Sequence, residues 1–272
     1  MIGFMQGRLV EPVDNKIQAF PKDKWVEELN IASQNEFNKI ELTVDLEGIW
    51  ENPLTNKLGL KELKNNLDIY KIEPVACTGD FIMHEPPWRS SGTRKKDLIE
   101  TLKAVIDGLG FLNIPIFVFP LVDQSSLNKH EESTLASFIK DLEEDLIRNN
   151  VRIAFESDYP PEELKRFIMN YNPKVYGINY DIGNSASLGF SPEEEINCYF
   201  EHIIHVHVKD RFLNGATTRL GNGNANIEMC VNILTSLNYS GNYVLQTARS
   251  EEGNHLKELI YNRDYFLSFF KQ

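Results

Sequence analysis

Along Ile203 to Arg211, IIHVHVKDR, a strand would turn His205, His207 and Lys209 to one face and aliphatic residues to the other. The β-branched Ile203, Ile204, Val206 and Val208 favour that strand. A face turned only to water usually carries Glu, Lys or Thr, so this one reads either as a polar strand end or as a site. Three more apolar runs end in side chains that can ligate an ion or move a proton. VRIAFESD delivers Glu156 and Asp158, YGINYDIGN delivers Asp181 and Asn184, and NYVLQTAR delivers Gln246 and Arg249. Earlier, KIELTVD carries Glu41 and Asp45, and PVACTGDF carries Asp80 with His84 just beyond. Oxygen donors with one imidazole suit a hard to borderline divalent ion such as Mn, Mg, Co, Fe or Zn. A carboxylate inside an apolar strand is costly unless a partner or a metal compensates it.

These residues need a scaffold that brings strand ends together. Apolar runs alternate with helical periods along the whole chain. Strands are expected at Ile2–Met5, Lys39–Asp45, Pro74–Phe81, Ile114–Leu121, Val151–Asp158, Tyr176–Asn184, Ile203–Asp210 and Asn242–Arg249. Between them, helices are expected near 22–34, 60–70, 93–110, 132–149, 162–171, from Ser191 onward, and 227–237. Gly110 is placed as a helix cap. An aromatic-rich helix closes the chain. Eight βα units in strict alternation predict an α/β protein, a (β/α)8 TIM barrel formed by residues 1–272 as one domain. A doubly wound open sheet is the competing architecture, but the first βα turn, GFMQGRL, has no GxGxxG. In a barrel the active site lies at the C-terminal strand ends, where the residues above fall.

Composition narrows the function. A net charge of -12 argues against a nucleic-acid partner, because phosphate backbones need a basic surface. No stretch approaches the roughly 18 apolar residues of a membrane span, so no membrane role is expected. Cys77, Cys198 and Cys230 are sparse and unpatterned, and MIGFMQGRLV lacks the layout of a signal peptide. The expectation is a cytoplasmic protein.

IAFESD, INYDIGN, HVHVKDR and YVLQTAR, in that order, resemble the four metal-bearing strands of the xylose isomerase-like sugar-phosphate isomerases and epimerases. GFMQGRL, KIELTVD and LGNGNANIE resemble the same group, so the likeness spans essentially the whole chain. It implies four metal ligands: Glu156, Asp181, His207 and Gln246. His205 is then a core histidine behind the site. One departure matters. The family's epimerases carry a second glutamate where this chain has Gln246, and the two glutamates flank the substrate as acid and base. Glutamine can ligate through its carbonyl oxygen but cannot transfer a proton near neutral pH. Asn184 also stands where those epimerases often carry a histidine.

The expected activity is therefore isomerisation or epimerisation of a sugar or sugar phosphate, with Glu156 as base. Lys209 is expected to neutralise an enolate oxygen or to act as second acid and base. Glu41, His84 and Asn184 are candidate substrate contacts, and Arg211 and Arg249 are candidate anion clamps. The same metal and base would also serve a lyase that dehydrates a keto-sugar or keto-polyol, and a barrel without activity that binds sugar or metal is the third reading. A many-histidine endonuclease site is disfavoured, since the chain has six histidines in all. The family resemblance implies a homodimer or homotetramer.

Overall fold

The computed structural model describes residues 2–270. Eight parallel strands carry the barrel: β1 (Ile2–Met5), β2 (Lys39–Thr43), β3 (Glu73–Thr78), β4 (Ile116–Leu121), β5 (Arg152–Ser157), β6 (Tyr176–Asp181), β7 (Ile203–Val208) and β8 (Tyr243–Leu245). They close in the order β1-β8-β7-β6-β5-β4-β3-β2, so the expected (β/α)8 architecture is the one observed. Asp210–Arg211 and Thr217–Thr218 form a small antiparallel ribbon above β7.

The period of two in the strands sorts the core into two layers. Outward-facing Phe119 and Phe155 pack edge to face at 5.9 Å, and Phe155 stacks on Tyr176 at 6.0 Å and meets Phe167 of the helix Pro161–Ile168. Inside the barrel, small residues such as Ala76, Val118 and Ala154 fill the lower interior. Two residues further along the same faces come the polar groups: Glu156 after Ala154, and Gln246 after Val244. Among the described residues no helix is long and apolar enough to cross a membrane.

Two β-bulges interrupt the register, and both sit beside polar interior residues. Between β2 and β3 the pairing skips Val75, from Ile40↔Pro74 to Glu41↔Ala76. Between β6 and β7 it skips Ile204, from Ile178↔Ile203 to Asn179↔His205. An extra residue bends its strand and re-aims the side chains beyond it. Here it brings Asn179 beside His205 and Asp181 beside His207.

Several expected boundaries shift. Gly110 lies inside the helix Gly92–Leu112, whose cap is Asn113 in the left-handed region. Gly110 is needed for packing instead, since a Cβ there would fall 2.2 Å from Asn149 Oδ1. The helix expected at 132–149 is two, Glu132–Lys140 and Glu143–Asn149. The sixth strand stops at Asp181, whose carboxylate caps the helix Ile182–Leu188 by accepting from Asn184 N at 2.8 Å. Asn184 is thus a helical residue. The eighth strand shrinks to three residues; Gln246 N still donates to Val208 O at 3.0 Å, and residues 247–249 run on without ladder pairing.

Candidate metal and active site

The site is built upward from a buried carboxylate. Glu41 on β2 has no exposure, and it receives His205 Nε2 at 2.7 Å and His207 Nε2 at 3.1 Å. Thr78 Oγ1 also donates to it. Burial alone would raise the Glu41 pKa, but the charges of His207 and His205 and their hydrogen bonds outweigh it and hold the carboxyl far below its ordinary range. Burial would likewise lower His207, yet Glu41 and Glu156 together push its imidazole up to about 10.

His207 Nδ1 faces the other way, toward the cavity floor. It lies 3.3 Å from Glu156 Oε2 and 3.8 Å from Asp181 Oδ2, and Asn179 Nδ2 lies 2.9 Å from both Nδ1 and Glu156 Oε2. One ligand atom each from Glu156, Asp181 and His207 falls within 4.8 Å of the others. This donor set fits a divalent ion, with Glu41 fixing the imidazole from behind as partners of metal-ligating histidines do. Asp181 Oδ2 supports the fit. That buried oxygen has the Lys209 ammonium 2.7 Å away as its charge partner, the place a cation takes beside it. Glu156 is held below its ordinary range: burial opposes this, but the hydrogen bond and charge of His207 and the charge of Lys209 prevail. Asp181 is raised, because burial and the Glu156 charge outweigh Lys209.

Above this floor opens a cavity of about 830 Å³. A chain of side chains runs round its wall. Lys209 Nζ donates to Gln246 Oε1 at 2.8 Å, Gln246 Nε2 to Gln18 Oε1 at 3.0 Å, and Gln18 Nε2 to Asp80 Oδ2 at 2.7 Å. Thr43 Oγ1 donates to the same Asp80 oxygen at 2.7 Å. Burial, with the neighbouring Asp45 carboxylate, pushes the Asp80 carboxyl up to about 7. Asn184 closes the side near β5, donating to Glu156 Oε1 at 2.6 Å and accepting from Arg211 Nη1 at 2.8 Å.

The structure brings most of the expected residues together. Glu156, Lys209, Gln246, Asn184, Arg211 and His84 all line the cavity, and Asp181 and His207 lie in its floor. Two do not reach it. Glu41 sits below the floor, spent on two histidines and a threonine, so it is not placed to hold a sugar hydroxyl. Arg249 turns away, and its guanidinium donates to the carbonyls of Ile17, Val10 and Gly7. It braces the loop after β1 and is not a phosphate clamp. Trp88 packs on Phe119 in the core. Asp210 is structural as well, accepting from the backbone of Gly221, Gly223 and Ala225. A Cβ at Gly223 would collide with that carboxylate at 2.2 Å, so the loop closes only on glycine.

Three further residues hydrogen-bond into the candidate site without being singled out by the sequence. Asn179 carried a signal, since alternation in YGINYD places it on the same face as Asp181. Thr43 followed Glu41 by the same period. Gln18 stands in an irregular loop, where no period points to it.

Known proteins share this fold. The family model described as xylose isomerase-like TIM barrel matches residues 29–264. A xylose isomerase domain protein from Planctomyces limnophilus superposes with a TM-score of 0.77 at 16% identity, covering 100% of this chain and 97% of its own. IolI protein with a bound zinc atom gives 0.75 at 15%, with 100% and 99% coverage. A D-tagatose 3-epimerase-like protein gives 0.71 at 18%, with 99% and 97% coverage. At such identities these likenesses speak to the fold. An inosose dehydratase of Lactiplantibacillus plantarum is 28% identical over 103 residues, 31% of this chain and 34% of that protein. The match thus spans about a third of that relative.

Proposed function

The chain belongs to the xylose isomerase-like TIM-barrel family, and from that premise we propose that it is a metal-dependent isomerase or epimerase acting on a small sugar or sugar-like ketone. The observation that carries this reading is the convergence of Glu156, Asp181 and His207 ligand atoms within 4.8 Å, beneath a cavity sized for a small polyhydroxylated molecule. Those three residues would hold the ion, with Gln246 Oε1 as a fourth donor. A bound divalent ion would polarise a substrate carbonyl and its neighbouring hydroxyl, making the adjacent C–H acidic.

The protein's own groups then divide the work. Glu156 is ionised, lines the cavity, and is steadied through Oε1 by Asn184 and through Oε2 by Asn179, so it is the base that removes the carbon-bound proton. The Lys209 ammonium stands at the same floor and offsets negative charge developing on the substrate oxygen. Asn184, Arg211 and His84 line the cavity, which supports a role for them in contacting substrate hydroxyls. Gln246 orients Lys209 but transfers no proton.

A second reading, dehydration, draws support from the inosose dehydratase match. It begins with the same proton removal and continues with loss of a β-hydroxyl. Incubating the purified, Mn²⁺-loaded protein in D₂O with D-fructose, D-tagatose, D-psicose and inosose tests both. Deuterium entering a carbon-bound position supports enolisation, and a product lighter by one water selects the lyase. Absence of exchange with every probe would overturn the proposal.

A further inference from the structure

Gln246 cannot supply the second proton transfer of a two-base reaction, and a buried carboxyl on another wall has no assigned task. Asp80, just past β3, is buried and lines the cavity. In the closed barrel β3 stands opposite β7, which carries His207 and Lys209, and two strands away from β5, which carries Glu156. Among the described residues Asp80 forms no ion pair. The nearby Arg8 guanidinium donates instead to the carbonyls of Thr247 and Ile17 and to Gln18 Oε1.

Its hydrogen bonds are lopsided. Thr43 Oγ1 and Gln18 Nε2 both donate to Oδ2, each at 2.7 Å, while Oδ1 has no hydrogen-bond partner among the described residues. When the carboxyl is neutral its proton therefore belongs on Oδ1, the oxygen left for a ligand in the cavity. Burial and the Asp45 charge push the group up to about 7, so both of its forms are populated near neutral pH.

We propose that Asp80 is the second proton-transfer group of this site and that the reaction is a two-base epimerisation, with Glu156 and Asp80 acting from different walls. This rests on the enolisation reading above. In the forward step the substrate C–H bond breaks, its proton moves to the Glu156 carboxylate, and its electron pair passes to the carbonyl oxygen. In the second step the Oδ1–H bond of Asp80 breaks, a new C–H bond forms with that electron pair, and Asp80 is left as carboxylate. Solvent then reprotonates Asp80 and takes the proton from Glu156. Gln18 is a positioning residue, holding Oδ2 so that Oδ1 faces the substrate.

The test compares wild type, Asp80→Asn and Asp80→Glu, all Mn²⁺-loaded, on the ketohexose or inosose that wild type turns over in D₂O. Two rates are read: deuterium entering recovered substrate, and formation of the epimer. Asparagine keeps the Oδ2 hydrogen bonds but has no acid, so exchange should persist while epimer formation falls by about 10²-fold or more. Asp80→Glu should restore part of it. Unchanged epimer formation in Asp80→Asn would overturn the proposal. So would parallel loss of both rates with metal content and Tm unchanged, which would mark a purely positioning role. A wild-type product lighter by one water would also overturn it, leaving the enolisation reading intact. Absence of wild-type exchange would instead remove that reading, and this proposal with it.

Discussion

Glu41 and His207 meet in the barrel interior with no solvent contact, both carboxylate oxygens lying 3.1 Å from the same imidazole nitrogen. The pair fixes which nitrogen of His207 looks into the cavity. With Nε2 engaged below, Nδ1 is the nitrogen that faces Glu156 and Asp181.

Replacing Glu41 by glutamine should therefore weaken divalent-metal binding without touching the cavity. Loss of the partner behind a ligating histidine typically costs 10–100-fold in affinity, and roughly that range is expected. Calorimetric titration with Mn²⁺ or Zn²⁺ measures it directly. Unaltered affinity would show that the histidine needs no support from below.

Glu156→Gln preserves the shape of the floor but removes the proposed base. Deuterium exchange into substrate should fall by about 10²–10⁴-fold while the variant stays folded. Retention of full exchange would transfer the role of base to another residue.

Gln246→Glu adds a carboxylate beside Lys209 and Asp181, and its new oxygen can no longer donate to Gln18. Metal affinity should rise, on the order of tenfold, because ligand charge tunes binding. The Asp80 side of the wall should loosen at the same time. Titration of the metal, paired with the exchange and epimer rates, separates the two effects.

Stability should depend on pH through Glu195, away from the cavity. Its carboxylate accepts from Ser185 at 2.8 Å and Tyr199 at 2.9 Å, yet burial prevails and raises it from 4.5 to about 7. Below the unfolded value both states are neutral and the group's contribution is fully present. Between that value and about 7 the unfolded chain ionises first, so the contribution is lost as pH rises, up to roughly 3 kcal/mol. Glu195→Gln should therefore gain on wild type from pH 5 to pH 8 in denaturant titrations. A constant difference across that range would contradict the assignment.

How legible each residue was in the sequence depends on the element that carries it. Glu156, Asp181 and His207 ride on strands, where alternation settles the inward face and parallel closure makes neighbours of consecutive ends. Their convergence was legible for that reason. A carboxylate in the apolar run KIELTVD stands out in the sequence, but its task does not, because only the packed barrel reveals the two histidines it holds. Arg249 and Gln18 lie in segments without ladder pairing, where direction depends on contacts made far along the chain. Local pattern carries no trace of such contacts. The bulges at Val75 and Ile204 were hidden as well, since both residues look like ordinary members of apolar strands.

The wall from Lys209 through Gln246 and Gln18 to Asp80 differs in kind from the floor beneath it. Strand register holds the floor, so altering it means disturbing the barrel itself. Gln18 stands in a loop and Gln246 just past the last paired residue of β8, and their side-chain amides meet in a bond that one substitution can break or recharge. On the proposed enolisation, exchanging side chains at this rim would redirect the fate of the intermediate without altering the strand register beneath it. Selection for a new reaction would be expected to act first at positions 18, 80 and 246.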